Sequence, residues 1–294
     1  MKKVLITGAN SYIGTSFHNW IKENEPEIET DKLSLRDDAW KGEDFSKYDS
    51  IFHCVGKAHV DVDTLTEEVS KEYFKINCDL AYETALKAKK EGVKQFIYLS
   101  SIIVYGDSAP IGKSKIIDRS TPLTPANFYG ESKVAAEEKL ATLCDDTFKV
   151  VIVRPPMIYG KGSKGNYPTL AKFARKLPLF PGIENSRSML YIGNLCKFLS
   201  LMVLGEESGI FFPQNKEYVS TSDMVKKIAQ VKGRKIGITP IFNPLIKLIA
   251  KGNNKYAKLA SKAFGNLCFD KDISAYKEDY CIYDLETSIR LTEE

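Results

Sequence analysis

Tyr129 and Lys133 stand four residues apart in NFYGESKVAAEEKL, Asn127 to Leu140. On a helix that spacing places both side chains on one face, one turn apart. Ala135 to Leu140 are good helix formers, so a helix is expected to begin here. A phenol beside an ammonium group can exchange a proton near neutral pH, because a cation lowers the ordinary tyrosine value of about 10. Alone, the pair is more at home on a solvated helix face than in a catalytic site, as short motifs usually are. The rest of the chain has to decide between these.

A second stretch with chemical content is VLITGANSYIGTSF, Val4 to Phe17. Gly8 directly follows an apolar run and Gly14 falls in the first turn of the expected helix. Gly8 allows a tight turn and Gly14 a close helix-to-sheet approach. The helix start then presents backbone N–H groups to an anion such as a pyrophosphate. The plain alternative is a strand-to-helix turn that merely needs glycine. Its position between the first strand and first helix of an alternating pattern favours a dinucleotide.

The elements that must hold these residues alternate along the first half. Val4 to Thr7, Ile28 to Leu35, Ser50 to Val55, Gln95 to Ser100 and Lys149 to Val153 read as strands. Tyr12 to Lys22, Glu67 to Glu91 and the Tyr129 segment read as helices. Such alternation predicts an α/β fold with a doubly wound parallel sheet. From Arg154 onward prolines and glycines break the pattern, and a helix returns at Asn194 to Leu204. The expected division is a dinucleotide-binding domain of residues 1–153 and about 188–206. A smaller, discontinuous α/β lobe of about 154–187 and 207–294 would take the substrate.

Composition bounds the possibilities. The chain of 294 residues is 43% hydrophobic and 27% charged, as for an ordinary globular protein. A net charge of +4 with dispersed Lys and Arg does not suggest nucleic-acid binding. Six scattered cysteines without a CxxC pair, and three separated histidines, argue against a zinc site and a disulfide scaffold. No apolar run reaches the roughly 20 residues of a membrane span, and MKKVLITG reads as a first strand rather than a signal peptide. A cytoplasmic, metal-free protein is expected. One segment, Phe242 to Phe269, alternates lysines with Leu, Ile, Tyr and Phe as a membrane-surface helix does. Gly252, Asn253 and Asn254 interrupt it, so a lobe helix with a solvated basic face is the expectation.

With these residues in place, the chain resembles the extended short-chain dehydrogenase/reductase family, whose fingerprint is TGxxGxxG. Here it reads Thr7-Gly8-Ala9-Asn10-Ser11-Tyr12-Ile13-Gly14, with Ser11 at the middle glycine position. The family's serine, four residues before the tyrosine of a V-Y-G motif, matches Ser101 ahead of Val104-Tyr105-Gly106, and its YxxxK matches Tyr129 and Lys133. The resemblance implies that Tyr129 transfers a proton. Lys133 would hold the nicotinamide ribose and lower the tyrosine pKa, and Ser101 would orient the reacting oxygen. HCVGKAHV, His53 to Val60, resembles the HxAAxxHV loop that passes the cofactor, with Val55 and Gly56 in place of alanines. His53 and His59 are expected to bond within that loop rather than act as bases. Asp44-Phe45 resembles the pair that receives the adenine.

The resemblance leaves the choice of nicotinamide nucleotide to the end of the second strand. If the strand ends near Leu35, Ser34 and Arg36 face the adenosine ribose and NADP(H) is favoured; if near Asp31, NAD(H). The alternation of Leu33 and Leu35 favours the first. The plain alternative for Arg36 is a surface pair with Asp37 or Asp38.

VRPPMIYGKGSKGNY and NSRSMLYIGNL are similar to segments of the family's nucleotide-sugar branch, in which residues matching Asn166 and Arg187 contact the nucleotide diphosphate. An interdomain salt bridge is the plain alternative for Arg187. Dehydratases of that branch carry an Asp-Glu pair after the catalytic serine or threonine; Ile102 and Ile103 stand there instead and cannot move protons. Two activities at sugar C4 remain. A UDP-4-keto-6-deoxy-sugar 4-reductase is favoured over a UDP-hexose or UDP-N-acetylhexosamine 4-epimerase with tightly held NAD. A non-catalytic NAD(P)-binding sensor is the more remote alternative, since such proteins typically lose the tyrosine or lysine. Many relatives are homodimers through a four-helix contact, which here would use Glu67 to Glu91 and the Tyr129 helix.

Overall fold

The computed structural model describes residues 1–58, 66–252 and 254–294. Contacts gather these into two compact units, the first comprising Met1–Gly106, Pro122–Pro155 and Leu195–Pro213. Its centre is a six-stranded parallel sheet made from the apolar runs of the sequence. Across it lie, in order, Gly209–Phe211, Lys149–Val153, Gln95–Leu99, Ser50–His53, Lys2–Thr7 and Ile28–Leu33. Strands covered on both faces need side chains that bury in either direction, and Val4 to Thr7 and Ser50 to His53 are buried without alternation. The chain leaves the first strand on one side for Ile28–Leu33 and returns on the other for Ser50–His53. The strand order therefore reverses at the carboxyl ends of Lys2–Thr7 and Ser50–His53, where doubly wound sheets open a ligand crevice.

Helices cover both faces. One face packs Leu5, Phe96, Tyr98, Val150 and Ile152 against Ala81, Ala85, Ala136 and Leu140. The helix pair responsible was expected as one run over Glu67 to Glu91. It is Glu67–Phe74 and Leu80–Lys90 joined without a break by a π-helical turn, Lys75–Asp79. A π-turn admits one extra residue per turn and re-aims its side chains; here it buries Asn77. The second strand ends at Leu33, between the two expected ends, because the Leu33 carbonyl turns to accept the N–H groups of Gly8 and Ala9 at 3.0 and 3.2 Å.

The second unit comprises Asp107–Thr121, Pro156–Asn194 and Gln214–Glu294. It holds three two-stranded parallel pairs: Met157–Tyr159 with Met189–Tyr191, Leu179–Pro181 with Gly237–Thr239, and Ile116–Ile117 with Cys268–Phe269. The units differ from the expected division in three segments. Residues 107–121 fall in the second unit because Ile116–Ile117 pairs there, and 188–194 because Met189–Tyr191 does. Residues 207–213 fall in the first because Gly209–Phe211 is an edge strand of its sheet.

The segment expected as a lobe helix with a solvated basic face is two helices of the second unit with exposed lysines, and its apolar side is exposed as well. The helix Asn243–Ala250 has no buried residue, and its leucines face outward with its lysines. The following helix, Lys255–Phe264, buries Ala257 and Phe264 but exposes Tyr256 and Leu259.

Candidate active site

Three chain segments meet at the crevice in the first unit. The first is the glycine turn. Gly8 has φ +95°, a conformation that L side chains rarely adopt, and an added Cβ would press on Cys54 and Val55 at 3.3 Å. An added Cβ on Gly14 would lie 2.8 Å from Cys54 Sγ, so this glycine permits the helix to seat against the strand. Ser11 stands at the middle glycine position of the fingerprint, where its hydroxyl could have been left free for an anion. Instead it caps the helix Tyr12–Asn24, accepting the Gly14 N–H at 2.9 Å, and lies 3.0 Å from Cys54 Sγ. The cap uses the Gly14 donor, so an anion at this helix end would take donors ahead of it, at Tyr12 and Ile13. Asn10, at the exposed tip of the turn, precedes them.

The second segment follows Ser50–His53. His53 was expected to bond within its own loop rather than act as a base; its partner is instead in the first strand. His53 is wholly buried, pairs Nδ1 with Thr7 Oγ at 3.0 Å, and lies between the rings of Phe96 and Tyr98. Burial lowers its pKa to about 3, with the Lys133 charge acting in the same direction, so it stays neutral. Cys54 is likewise kept a thiol, raised to about 11 by burial. Val55 and Gly56 then pass the glycine turn and the catalytic lysine: an added Cβ on Gly56 would lie 3.4 Å from Lys133 Nζ and 3.2 Å from Asn77 Oδ1. His59 and Val60 lie outside the described residues.

The third segment holds Ser101, Tyr129 and Lys133. Gln95–Leu99 runs into Ser101, whose hydroxyl accepts the Ile103 N–H at 3.3 Å and starts a 3-10 turn, Ile102–Tyr105. Asn127 caps the helix Phe128–Ala141 by accepting the Gly130 N–H at 3.0 Å. That cap fixes where the helix begins and so sets Tyr129 and Lys133 on one face. Burial raises the Tyr129 pKa, a hydrogen bond with Ser101 opposes this, and Tyr73 adds to the rise. Tyr73 lies 6.5 Å from Tyr129, ring to ring.

Lys133 was expected to lower Tyr129 directly. Its ammonium instead donates to the Leu99 carbonyl at 2.8 Å and lies 4.5 Å over the Tyr98 ring. Burial lowers Lys133 to about 8, against the raising effects of Glu137 and Cys54. A cation held this way faces the crevice floor, where Gly56 leaves room above it.

Two supports had no motif to announce them. Asn77, at the π-turn, accepts the Lys57 N–H at 2.8 Å and donates to the Lys57 carbonyl and to Ser132 Oγ, at 3.1 and 2.9 Å. It therefore ties the loop after Gly56 to the helix of Tyr129. Glu137 lies one turn beyond Lys133 and is buried. It accepts from the hydroxyl of Ser100 and from Arg154, whose Nη2 is 2.5 Å away, while Arg154 Nη1 donates to Tyr105 OH at 2.6 Å. A single carboxylate thus joins the catalytic helix to the strand ends on either side. The i, i+8 spacing from Tyr129 to Glu137 was visible in the sequence; its buried partner was not.

Other expected site residues divide. Ser34 and Arg36 are exposed just past Leu33, and neither acid offered as a partner for Arg36 takes it. Asp37 accepts the Ala39 N–H at 3.1 Å and Asp38 pairs with Lys41 at 2.8 Å. Asp31 accepts from Tyr48 OH at 2.9 Å. The assignment of Asp44 and Phe45 to adenine is corrected. Phe45 is fully buried against Trp40, and its N–H is held at 2.7 Å by Glu91, where the helix Leu80–Lys90 ends. That is the amino edge of the sheet, opposite the crevice, and the Asp44 carboxylate is occupied by Ser46.

Asn166 and Arg187 belong to the second unit. Asn166 opens the exposed start of the helix Asn166–Lys176. Arg187 Nη1 donates to the carbonyls of Lys262 and Gly265, at 2.9 and 3.0 Å, and to Ser108 Oγ at 3.3 Å. Burial lowers its pKa. No carboxylate pairs with it among the described residues, which removes the salt-bridge alternative.

The features of the first unit fit a dinucleotide: a positive-φ glycine turn that a Cβ would fill, a capped helix N-terminus, and a lysine beside a glycine passage. Comparison with known proteins agrees. The chain is 33% identical over 186 residues to a UDP-glucose 4-epimerase of Vibrio cholerae, a match covering 61% of this chain and 56% of that protein. It is 26% identical over 253 residues to an N-acetyl-alpha-D-glucosaminyl-diphospho-ditrans,octacis-undecaprenol 4-epimerase of Escherichia coli O157:H7, covering 79% and 73%. The fold is that of a Bacillus cereus UDP-glucuronic acid 4-epimerase in complex with NAD, with TM-score 0.72, 16% identity, and 99% and 97% of the chains covered. It is also that of a Bacillus anthracis dTDP-4-dehydrorhamnose reductase in complex with NADP, with TM-score 0.61, 24% identity, and 81% and 83% covered. The model of the NAD dependent epimerase/dehydratase family matches residues 4–211, and the chain belongs to that family.

Proposed function

We propose that this NAD(P)-dependent enzyme works at C4 of a nucleotide-diphosphate sugar, as a 4-reductase of a UDP-4-keto-6-deoxy sugar using NADPH. The observation that carries the choice is Arg36. It stands exposed directly beyond the strand end that abuts the glycine turn, and both neighbouring carboxylates are engaged elsewhere. A cation there suits a 2′-phosphate, and NADPH suits an enzyme that releases a reduced product.

A bound nicotinamide nucleotide supplies the hydride to C4. Everything else falls to side chains of the chain. Tyr129 donates its phenolic proton to the C4 oxygen as the carbonyl is reduced, and Ser101 hydrogen-bonds the same oxygen and holds it in line. Lys133, still charged below about pH 8, would bind the ribose, and the Ser101 hydroxyl favours the phenolate left behind. Ile102 and Ile103 give no acid or base for elimination, so the sugar is not dehydrated. Arg187, a half-buried cation with no carboxylate partner among the described residues, would bind the substrate diphosphate through a fork of N–H donors, with Asn166 as a second contact.

A second reading is a 4-epimerase, and the Vibrio cholerae relative favours it. The two differ in whether the nucleotide leaves. Denaturing freshly purified protein and identifying the nucleotide released separates them. An empty protein that binds NADPH far more tightly than NADH supports the reductase. Near-stoichiometric NAD would defeat it and the role given to Arg36.

A further inference from the structure

We propose that the exposed helices of the second unit, Asn243–Ala250 and Lys255–Phe264, form a docking face for the surface of an anionic lipid bilayer. The spacing is that of an amphipathic helix. Ile241, Leu245, Leu248 and Ile249 recur at i, i+4, i+7 and i+8, which is one stripe of a helix. In an ordinary lobe helix this stripe would be buried. Here Ile241 is 78% exposed, Leu248 68% and Leu245 59%, and the next helix adds Tyr256 at 72% and Leu259 at 63%. Apolar side chains grouped this way in water mark a binding surface rather than scattered surface hydrophobes.

Charge identifies the occupant. Between Asp223 and Asp270 the chain carries ten lysines and arginines and no acid, although the whole molecule is only +4. The remainder is therefore net −6, and five of the ten cations fall between Asn243 and Phe264, where the leucines are exposed. Lys247, Lys251, Lys258 and Lys262 are exposed on the same two helices. Lysines flanking an apolar stripe suit the boundary between anionic headgroups and acyl chains, where the stripe buries and the ammonium groups stay at headgroup level. A second copy of the chain would bring two basic rims together, which like-charge repulsion opposes. No helix among the described residues is long and apolar enough to cross a membrane, so the face lies on the surface rather than inserting through it.

Vesicle flotation tests this without substrate or nucleotide, so its outcome is independent of the reductase reading. The full chain is expected to float with vesicles of equimolar phosphatidylglycerol and phosphatidylcholine. It should stay unbound with phosphatidylcholine alone and be released by added salt. The double variant Leu245→Asp, Leu248→Asp should lose binding at least about tenfold, as should Lys247→Glu, Lys251→Glu. All four positions are exposed, so circular dichroism and melting should be unchanged. Absence of wild-type flotation, or flotation that neither variant reduces, would overturn the proposal. So would self-association, or capture of an acidic protein, that these variants abolish in a chain that does not float.

Discussion

A half-buried phenol is a poor proton carrier unless its anion is stabilised, and around Tyr129 the hydrogen bond with Ser101 provides that. Tyr129→Phe keeps the ring and its packing and removes only the proton. Turnover should fall by roughly 10²–10⁴-fold, while nucleotide affinity, read by fluorescence titration, stays within a few-fold. Full activity in that variant would remove Tyr129 from the mechanism. Lys133 carries its own pH signature. Its folded pKa is about 8, so its charge is present below that and lost above it. Affinity for the anionic nucleotide should fall as pH rises through 8, and Lys133→Met should flatten that limb. Arg36 makes the cofactor choice testable: Arg36→Ala should cost NADPH about tenfold or more in affinity and NADH little, since a charge-assisted hydrogen bond is worth roughly 1.5–3 kcal/mol. These residues were legible in the sequence because their types and spacing are chemical. The partners of Lys133 were not, since a backbone carbonyl leaves no trace in a motif.

At the scale of elements, the catalytic helix is held at its start and at its middle. Asn127 caps its start, and Glu137 pins its middle to Arg154 and Ser100. The Glu137 and Arg154 side chains are only 5% and 7% exposed. Removing one partner strands a buried charge, so Arg154→Met should destabilise the fold by about 3–5 kcal/mol. Urea denaturation measures this, and an unchanged midpoint would show that the pair does not join the helix to the sheet. Strands and the glycine turn could be read from apolar runs and punctuation. The π-turn could not, because its sequence, KINCD, continues a good helical pattern. What selects it is tertiary: Asn77 must reach both Lys57 and Ser132. Asp44-Phe45 misled for a similar reason. A short acidic-apolar pair says nothing about which edge of the sheet it occupies, and Glu91, remote in sequence, fixes Phe45 at the wrong one.

At the scale of the whole molecule, burying a neutral imidazole in the sheet couples stability to acid. The folded His53 pKa is about 3, below the ordinary histidine value of 6.5, so the unfolded chain binds the extra proton between those values. Stability should therefore fall as pH drops from 6.5 toward 3, and His53→Gln should reduce the slope of the melting temperature in that window. An equal slope in both proteins would assign the effect to other groups. The unit boundaries were less legible than the sheet, because pairs as short as Ile116–Ile117 with Cys268–Phe269 decide them and carry almost no pattern. The exposed leucines of Asn243–Ala250 were also hidden, since an apolar stripe looks the same in sequence whether or not a neighbour covers it. The most direct test of the central claim is the initial rate of NADPH oxidation with a UDP-4-keto-6-deoxy-N-acetylhexosamine, for wild type and Tyr129→Phe side by side. The account predicts substrate-dependent oxidation by wild type and a loss of at least about 10²-fold in the variant. No oxidation by wild type, with C4 interconversion of UDP-hexoses on retained NAD, would contradict it.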